Sequence, residues 1–164
     1  MIPVHYGKRL VELDIPGDNL VFNLKANEFN PPQDQGQEIR RAIQDPVGSR
    51  RLKDLVPRDA SVVIMGDDRT RVTRQDKLIP FILEELHAAG VGNDQIKLII
   101  GYGTHRPMSE DEIAEKYGRG LMEQIEIKGH DCHSNLVDKG VTRRGTPIVV
   151  NREVLEADFR IAVG

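Results

Sequence analysis

Beyond Pro57 the apolar positions follow two rhythms in turn, and the changes between them outline a fold. Val62 to Met65 is a continuous apolar run, the pattern of a strand covered on both faces. From Gln75 to Ala89, Leu78, Ile79, Ile82, Leu83 and Leu86 recur at helical spacing and stop at Gly90, which predicts a helix. Pro80 suits that helix only in its first turn or at a kink. "IKLIIGYG" (Ile96 to Gly103) reads as a second buried strand. "SEDE" (Ser109 to Glu112) has capping-box spacing and starts a helix running to about Tyr117. "QIEIKG" is a third strand, "TPIVV" a fourth and "DFRIAV" a fifth, and Asn151 is placed to cap a short helix over "REVLEA".

Repeated strand and helix units of this kind predict an α/β fold, an open, mostly parallel, Rossmann-like sheet with helices on both faces. Ahead of it, "RLVELDIP" and "LVFNL" alternate on either side of Pro16-Gly17-Asp18-Asn19, predicting two strands of a short antiparallel flap within residues 1–25. "ANEFNPPQDQGQ" is a loop, and "EIRRAIQ" and "SRRLKDLV" are short helical pieces broken at Pro46-Val47-Gly48, so residues 26–57 read as linker and short helices leading to a core over 58–164.

A length of 164 residues predicts one domain with a real core. Lys and Arg total 23 against 26 acids, a net charge of −3 with no long block of either sign, which argues against a nucleic-acid groove or a polybasic membrane anchor. Four per cent aromatics and no Trp also leave little to stack bases on. The single Cys132 excludes an internal disulfide framework, and neither a leader nor a membrane-length apolar stretch is seen, so a cytoplasmic setting is expected. The last residue, Gly164, directly follows an apolar strand at the edge where such folds place ligand loops, from which a fragment of a longer protein is expected.

Parallel strands end on one rim, and three polar stretches sit there: "GDDRTRVT", "GYGTHRPM" and "GHDCHSN". Arg71 is a cation suited to a carboxylate or phosphate, or else a surface partner of Asp67 or Asp68. Thr70 or Thr73 could cap the next helix, with Thr73 the better placed. His105, between Gly103-Thr104 and Arg106-Pro107, is either a proton-transfer group with Arg106 steering an anion towards it, or a structural imidazole bonded to a backbone carbonyl. His5 and His87 carry no such pattern, and His87 lies near a helix C-terminus, where a cation is favoured. "HDCH" (His130 to His133) contains ligand types, but successive residues of an extended chain point to opposite sides, so these four residues predict no metal centre by themselves.

With "DDRTR" (Asp67 to Arg71), "GTHRPM" (Gly103 to Met108), "GHDC" (Gly129 to Cys132) and the tail "GTPIVVNREVLEADFRIAVG" in order, the sequence resembles the N-terminal domain of the nickel-dependent lactate racemase family. The resemblance implies a racemase of small anionic 2-hydroxy acids, an isomerase working by proton abstraction and hydride transfer to a nickel-pincer nucleotide. It makes His105 an acid/base, has Asp68 orient Arg71 or His105, has Arg71 bind substrate or cofactor anions, and leaves Thr70 and Arg106 as weaker anion binders. Val72 and Arg74 depart from the family's "TRPTP". The cofactor's tethering Lys, the nickel-ligand His and a second catalytic His are expected in a C-terminal remainder that this chain lacks, so the chain alone is expected to bind no covalent cofactor and to be inactive. Two other readings stand beside it: a non-catalytic anion-binding α/β domain of a binding or regulatory protein, and a zinc hydrolase using His105 with His130 to His133.

Overall fold

Only Gly7 and Lys8 separate the first two strands, and Gly7 takes φ 61, the left-handed backbone that a two-residue hairpin loop demands. A computed structural model describes residues 1–164, divided into Met1–Gln33 and Asp34–Gly164. In the first unit β1 (Ile2–Tyr6) and β2 (Arg9–Leu13) pair antiparallel. The flap thus exists, but with "RLVEL" as its second strand. Leu20 to Leu24, expected as a strand, has no regular structure, because Pro16 leads into a single 3-10 turn over Gly17–Asn19 instead of a hairpin bend.

In the second unit α1 (Gln35–Gln44), capped by the Asp34 side chain on Gln37 N, and α2 (Leu52–Leu55) pack on α3 (Gln75–Ala88). The parallel strands are β3 (Val62–Asp67), β4 (Ile96–Gly101) and β5 (Glu126–Gly129). After β5 come β6 (Leu136–Val141) and β7 (Pro147–Asn151), and then β8 (Phe159–Ala162) completes a sheet ordered β5-β4-β3-β8. "TPIVV" is therefore a strand but not a member of that sheet. It forms β7, paired antiparallel with β6 across a loop far too short for a parallel crossover.

One sheet face carries the main core. Val62 and Ile64 of β3 and Ile96, Leu98 and Ile100 of β4 pack against Ile79, Ile82, Leu83 and Leu86 of α3. Ile64, Ile79, Leu86, Leu98 and Ile100 are 0 % exposed, each such burial contributing about 1.5–3 kcal/mol. The opposite face is thinner: Val63 and Ile99 meet Val154 and Ala157, at and just after α6 (Arg152–Glu156). Alternation in β3 and β4 produces this division, successive residues facing opposite layers. Pro80 lies inside α3, past its first turn. No helix is long and apolar enough to cross a membrane.

α4 (Glu110–Tyr117) and α5 (Arg119–Met122) complete the thicker layer, and α4 reaches the loops at the carboxyl ends of β3 and β4. Gly66 is glycine for a packing reason, since a Cβ there would collide with the Tyr117 ring.

Candidate functional site

β3 ends by delivering Asp67 and Asp68 into a turn in which Arg71 N donates to Asp68 O at 3.2 Å. The Asp68 carboxylate, 4 % exposed, spends Oδ1 on Thr70, accepting its N–H at 3.0 Å and its hydroxyl at 2.5 Å. Oδ2 lies 2.5 Å from His105 Nδ1, delivered by the turn after β4 in which His105 N donates to Tyr102 O. Burial works to raise the Asp68 pKa, but the Thr70 and His105 hydrogen bonds and the His105 charge outweigh it and hold the carboxyl down at about 2. An ionised Asp68 can only accept, so the shared proton sits on His105 Nδ1 and the Nε2 lone pair is left to act as a base. Of the two partners expected for Asp68, the structure pairs it with His105 and not with Arg71.

The depressed pKa has a stability consequence. Asp68 contributes fully above about pH 4, and the contribution, about 2 kcal/mol, is lost as pH falls towards 2. Urea unfolding at about pH 6 and about pH 2 is expected to show wild type losing roughly 1–2 kcal/mol more than Asp68→Asn; equal losses would mean that the pair contributes nothing.

Arg71, Thr70, Asp68 and His105 line one cleft of about 250 Å³ with Gly103 and Thr104. The exposed Arg71 guanidinium makes no hydrogen bond or ion pair within the protein, whereas its neighbours are spent. Arg69 faces Glu112 at 3.4 Å, Arg74 pairs with Asp76 at 2.6 Å, and Arg106 holds Glu112 through two bonds of 2.6 and 2.8 Å while also donating to Pro107 O. Arg106 therefore enters as a loop brace, and the Thr70 hydroxyl as a donor to Asp68. Thr73 does not cap α3: Arg74 holds that position with no side-chain cap, and the Thr73 carbonyl is what the chain uses. Asp131 closes a local turn on His133 N and Ser134, and no three His, Cys, Asp or Glu side chains converge where a metal could sit.

Three residues of α4 that sequence reasoning passed over hold this rim. Lys116 Nζ, on a side chain 9 % exposed, forms an ion pair with Asp67 Oδ1 at 2.7 Å and donates hydrogen bonds to Arg71 O at 2.8 Å and Thr73 O at 2.9 Å. Next to it the buried Tyr117 hydroxyl donates to Asp67 O at 2.6 Å. Glu112, at the third position of the Ser109 capping box, collects Arg69 and Arg106 from the two loops, and Arg106 foremost holds its carboxyl down at about 2. Glu112 and Lys116 stand four residues apart and so share a helix face, the one signal that could have found them.

The cleft adjoins a larger cavity of about 710 Å³, also lined by His105, which extends past Met108 to the loop after β5 with His130 and His133.

The family described as the lactate racemase N-terminal domain matches residues 6–164. The chain is 27 % identical to a lactate racemase of Thermoanaerobacterium thermosaccharolyticum and 26 % identical to one of Lactiplantibacillus plantarum, each over 167 residues covering 99 % of this chain and 39 % of the relative. It thus spans 39 % of the length of these curated relatives. Among solved structures, the lactate racemase apoprotein from T. thermosaccharolyticum matches with a TM-score of 0.82 at 26 % identity, over 98 % of this chain and 38 % of that one. A Thermotoga maritima protein at TM-score 0.61 and 18 % identity, over 78 % of this chain and 33 % of its own, shares the fold alone.

Proposed function

Because this chain belongs to the lactate racemase N-terminal domain family, we propose that it supplies the proton-transfer and carboxylate-binding half of a 2-hydroxy-acid racemase. The observation that carries this reading is a His105 Nδ1 held 2.5 Å from a buried, ionised Asp68 in the same cleft as an uncommitted Arg71. A hydroxy acid needs a cation for its carboxylate and a base for its hydroxyl, and the cleft offers one of each.

In this mechanism Arg71 holds the substrate carboxylate and His105 Nε2 takes the hydroxyl proton. The O–H electron pair becomes the second bond of a carbonyl as the C2–H bond breaks, its hydrogen leaving with both electrons. Return of that hydride to the opposite face of the reoriented keto acid, with a proton supplied to its oxygen by the second catalytic His that the resemblance places in the remainder of the protein, gives the mirror-image acid. The imidazolium formed in between is stabilised by the Asp68 carboxylate. By resemblance, a nickel-pincer nucleotide, when bound, would supply the hydride acceptor. This chain's side chains present no ligand set for a metal, so residues 1–164 are assigned only binding, orientation and proton transfer.

The test is to give the full-length protein L-lactate in D2O and follow configuration and C2 labelling together. D-lactate that keeps its C2 hydrogen is expected. D-lactate carrying deuterium at C2 would replace hydride transfer by a carbanion route. Lactate binding by calorimetry without turnover would favour the non-catalytic anion-binding reading, which uses Arg71 but leaves the His105–Asp68 pair without a task. Within the racemase reading, Arg71→Ala is expected to raise KM for lactate by about 10- to 100-fold, the worth of a hydrogen bond to a charged group, in a steady-state assay.

A further inference from the structure

The loop after β5 sets a second imidazole into the larger cavity, and its proton is positioned by a helix cap. His130 N donates to Ile100 O at 2.8 Å, extending the β4–β5 ladder by one residue and fixing the backbone. The His130 side chain lines the same cavity as His105, and its Nδ1 lies 3.1 Å from Asn151 Nδ2.

Asn151 is the N-cap of α6, its Oδ1 accepting from Val154 N at 3.2 Å. A backbone N–H can only donate, so the end of the Asn151 amide that faces Val154 is the oxygen, and the end that faces His130 is the NH2 group. His130 Nδ1 therefore accepts, and its ring proton sits on Nε2, which has no partner in the protein. His105 and His130, two of the three imidazoles that line the cavity beside His133, are set in opposite senses: the acid at Asp68 gives His105 an accepting Nε2, and the amide at Asn151 gives His130 a donating one.

We propose that His130 is a substrate-binding residue whose Nε2–H donates to an oxygen of the 2-hydroxy acid, or of the 2-keto acid formed from it, while His105 handles the hydroxyl proton. The proposal rests on the racemase reading for the ligand class, but its geometry does not. An N–H donor is what a developing carbonyl oxygen requires, and a lone pair at that point would repel it.

Three variants and one spectrum test it in the full-length protein. With 15N-labelled histidine, His130 is expected to show the Nε2–H tautomer, and added lactate is expected to shift its Nε2 signal. Asn151→Asp keeps an oxygen for the α6 cap but turns an acceptor towards Nδ1, so the proton should move to Nδ1 and KM for lactate should rise about tenfold. His130→Phe should raise KM similarly, and His130→Gln, which keeps an N–H near the Nε2 position, should restore KM to within about threefold of wild type. An Nδ1–H tautomer in wild type, or a His130→Phe protein with wild-type KM, would overturn the proposal. Failure of the racemase reading looks different: a wild type without turnover whose His130 Nε2 signal still shifts with lactate sinks that reading and supports this one. Turnover with an unmoved signal does the reverse.

Discussion

Replacing His105 with glutamine in the full-length protein is expected to lower kcat for lactate racemisation by about 10²–10⁴-fold, the usual contribution of a positioned acid/base, with KM little changed. Glutamine keeps polarity and approximate length but cannot exchange a proton at neutral pH. Asp68→Asn should fall in the same range, because an amide can donate to Nδ1 and turn the imidazole to the wrong tautomer. The double variant should be scarcely worse than either single one, since both act through one proton. Polarimetry or chiral chromatography of the three proteins measures all of this. A His105→Gln protein within fivefold of wild type would remove His105 from the chemistry, and additive losses would separate Asp68 from it.

The second large effect concerns stability. Lys116→Met should cost about 3–5 kcal/mol, because it leaves Asp67 nearly buried without its counter-ion and strips donors from two backbone carbonyls. Burial opposes the charge on Asp67, and the Lys116 contact heads the interactions that keep its pKa low nonetheless. Adding Asp67→Asn should recover a good part of the loss, since a neutral amide tolerates the missing ammonium. Urea titration of the two variants decides the matter, and a Lys116→Met loss below about 1 kcal/mol would mean that the pair behaves as a solvated one.

These two residues differ in how readily their sequence context betrayed them. Asp68, Arg71 and His105 were visible because strand-end position and charge density are local properties, written within a few residues of an apolar run. Which of Arg71 and His105 Asp68 would serve was not visible, because it depends on how β3 and β4 lie side by side. Lys116, Tyr117 and Glu112 lie on an ordinary charged helix, and apart from the four-residue spacing of Glu112 and Lys116 nothing along the chain separates a buried lysine from the solvated ones around it. The Asn151 cap was legible because capping is local. The β6–β7 hairpin was not: an apolar pentapeptide reads alike in a parallel sheet and in an antiparallel ribbon, and only the missing crossover distinguishes them. Thr73 was misread because its neighbour Arg74 took the cap position and left Thr73 to offer its carbonyl to Lys116.

The departures at Val72 and Arg74 take on a physical meaning here. Where the resembled family stiffens this loop with prolines, this chain leaves Val72 exposed and ties the loop down from α4 through Lys116 and Tyr117.

Glu112 takes an arginine from each of two strand-end loops onto one carboxylate. The two walls of the cleft are thereby bridged through a single side chain. Damage at this one helical position would reach the reacting atoms as a blur in the distance between base and cation, with neither group itself altered.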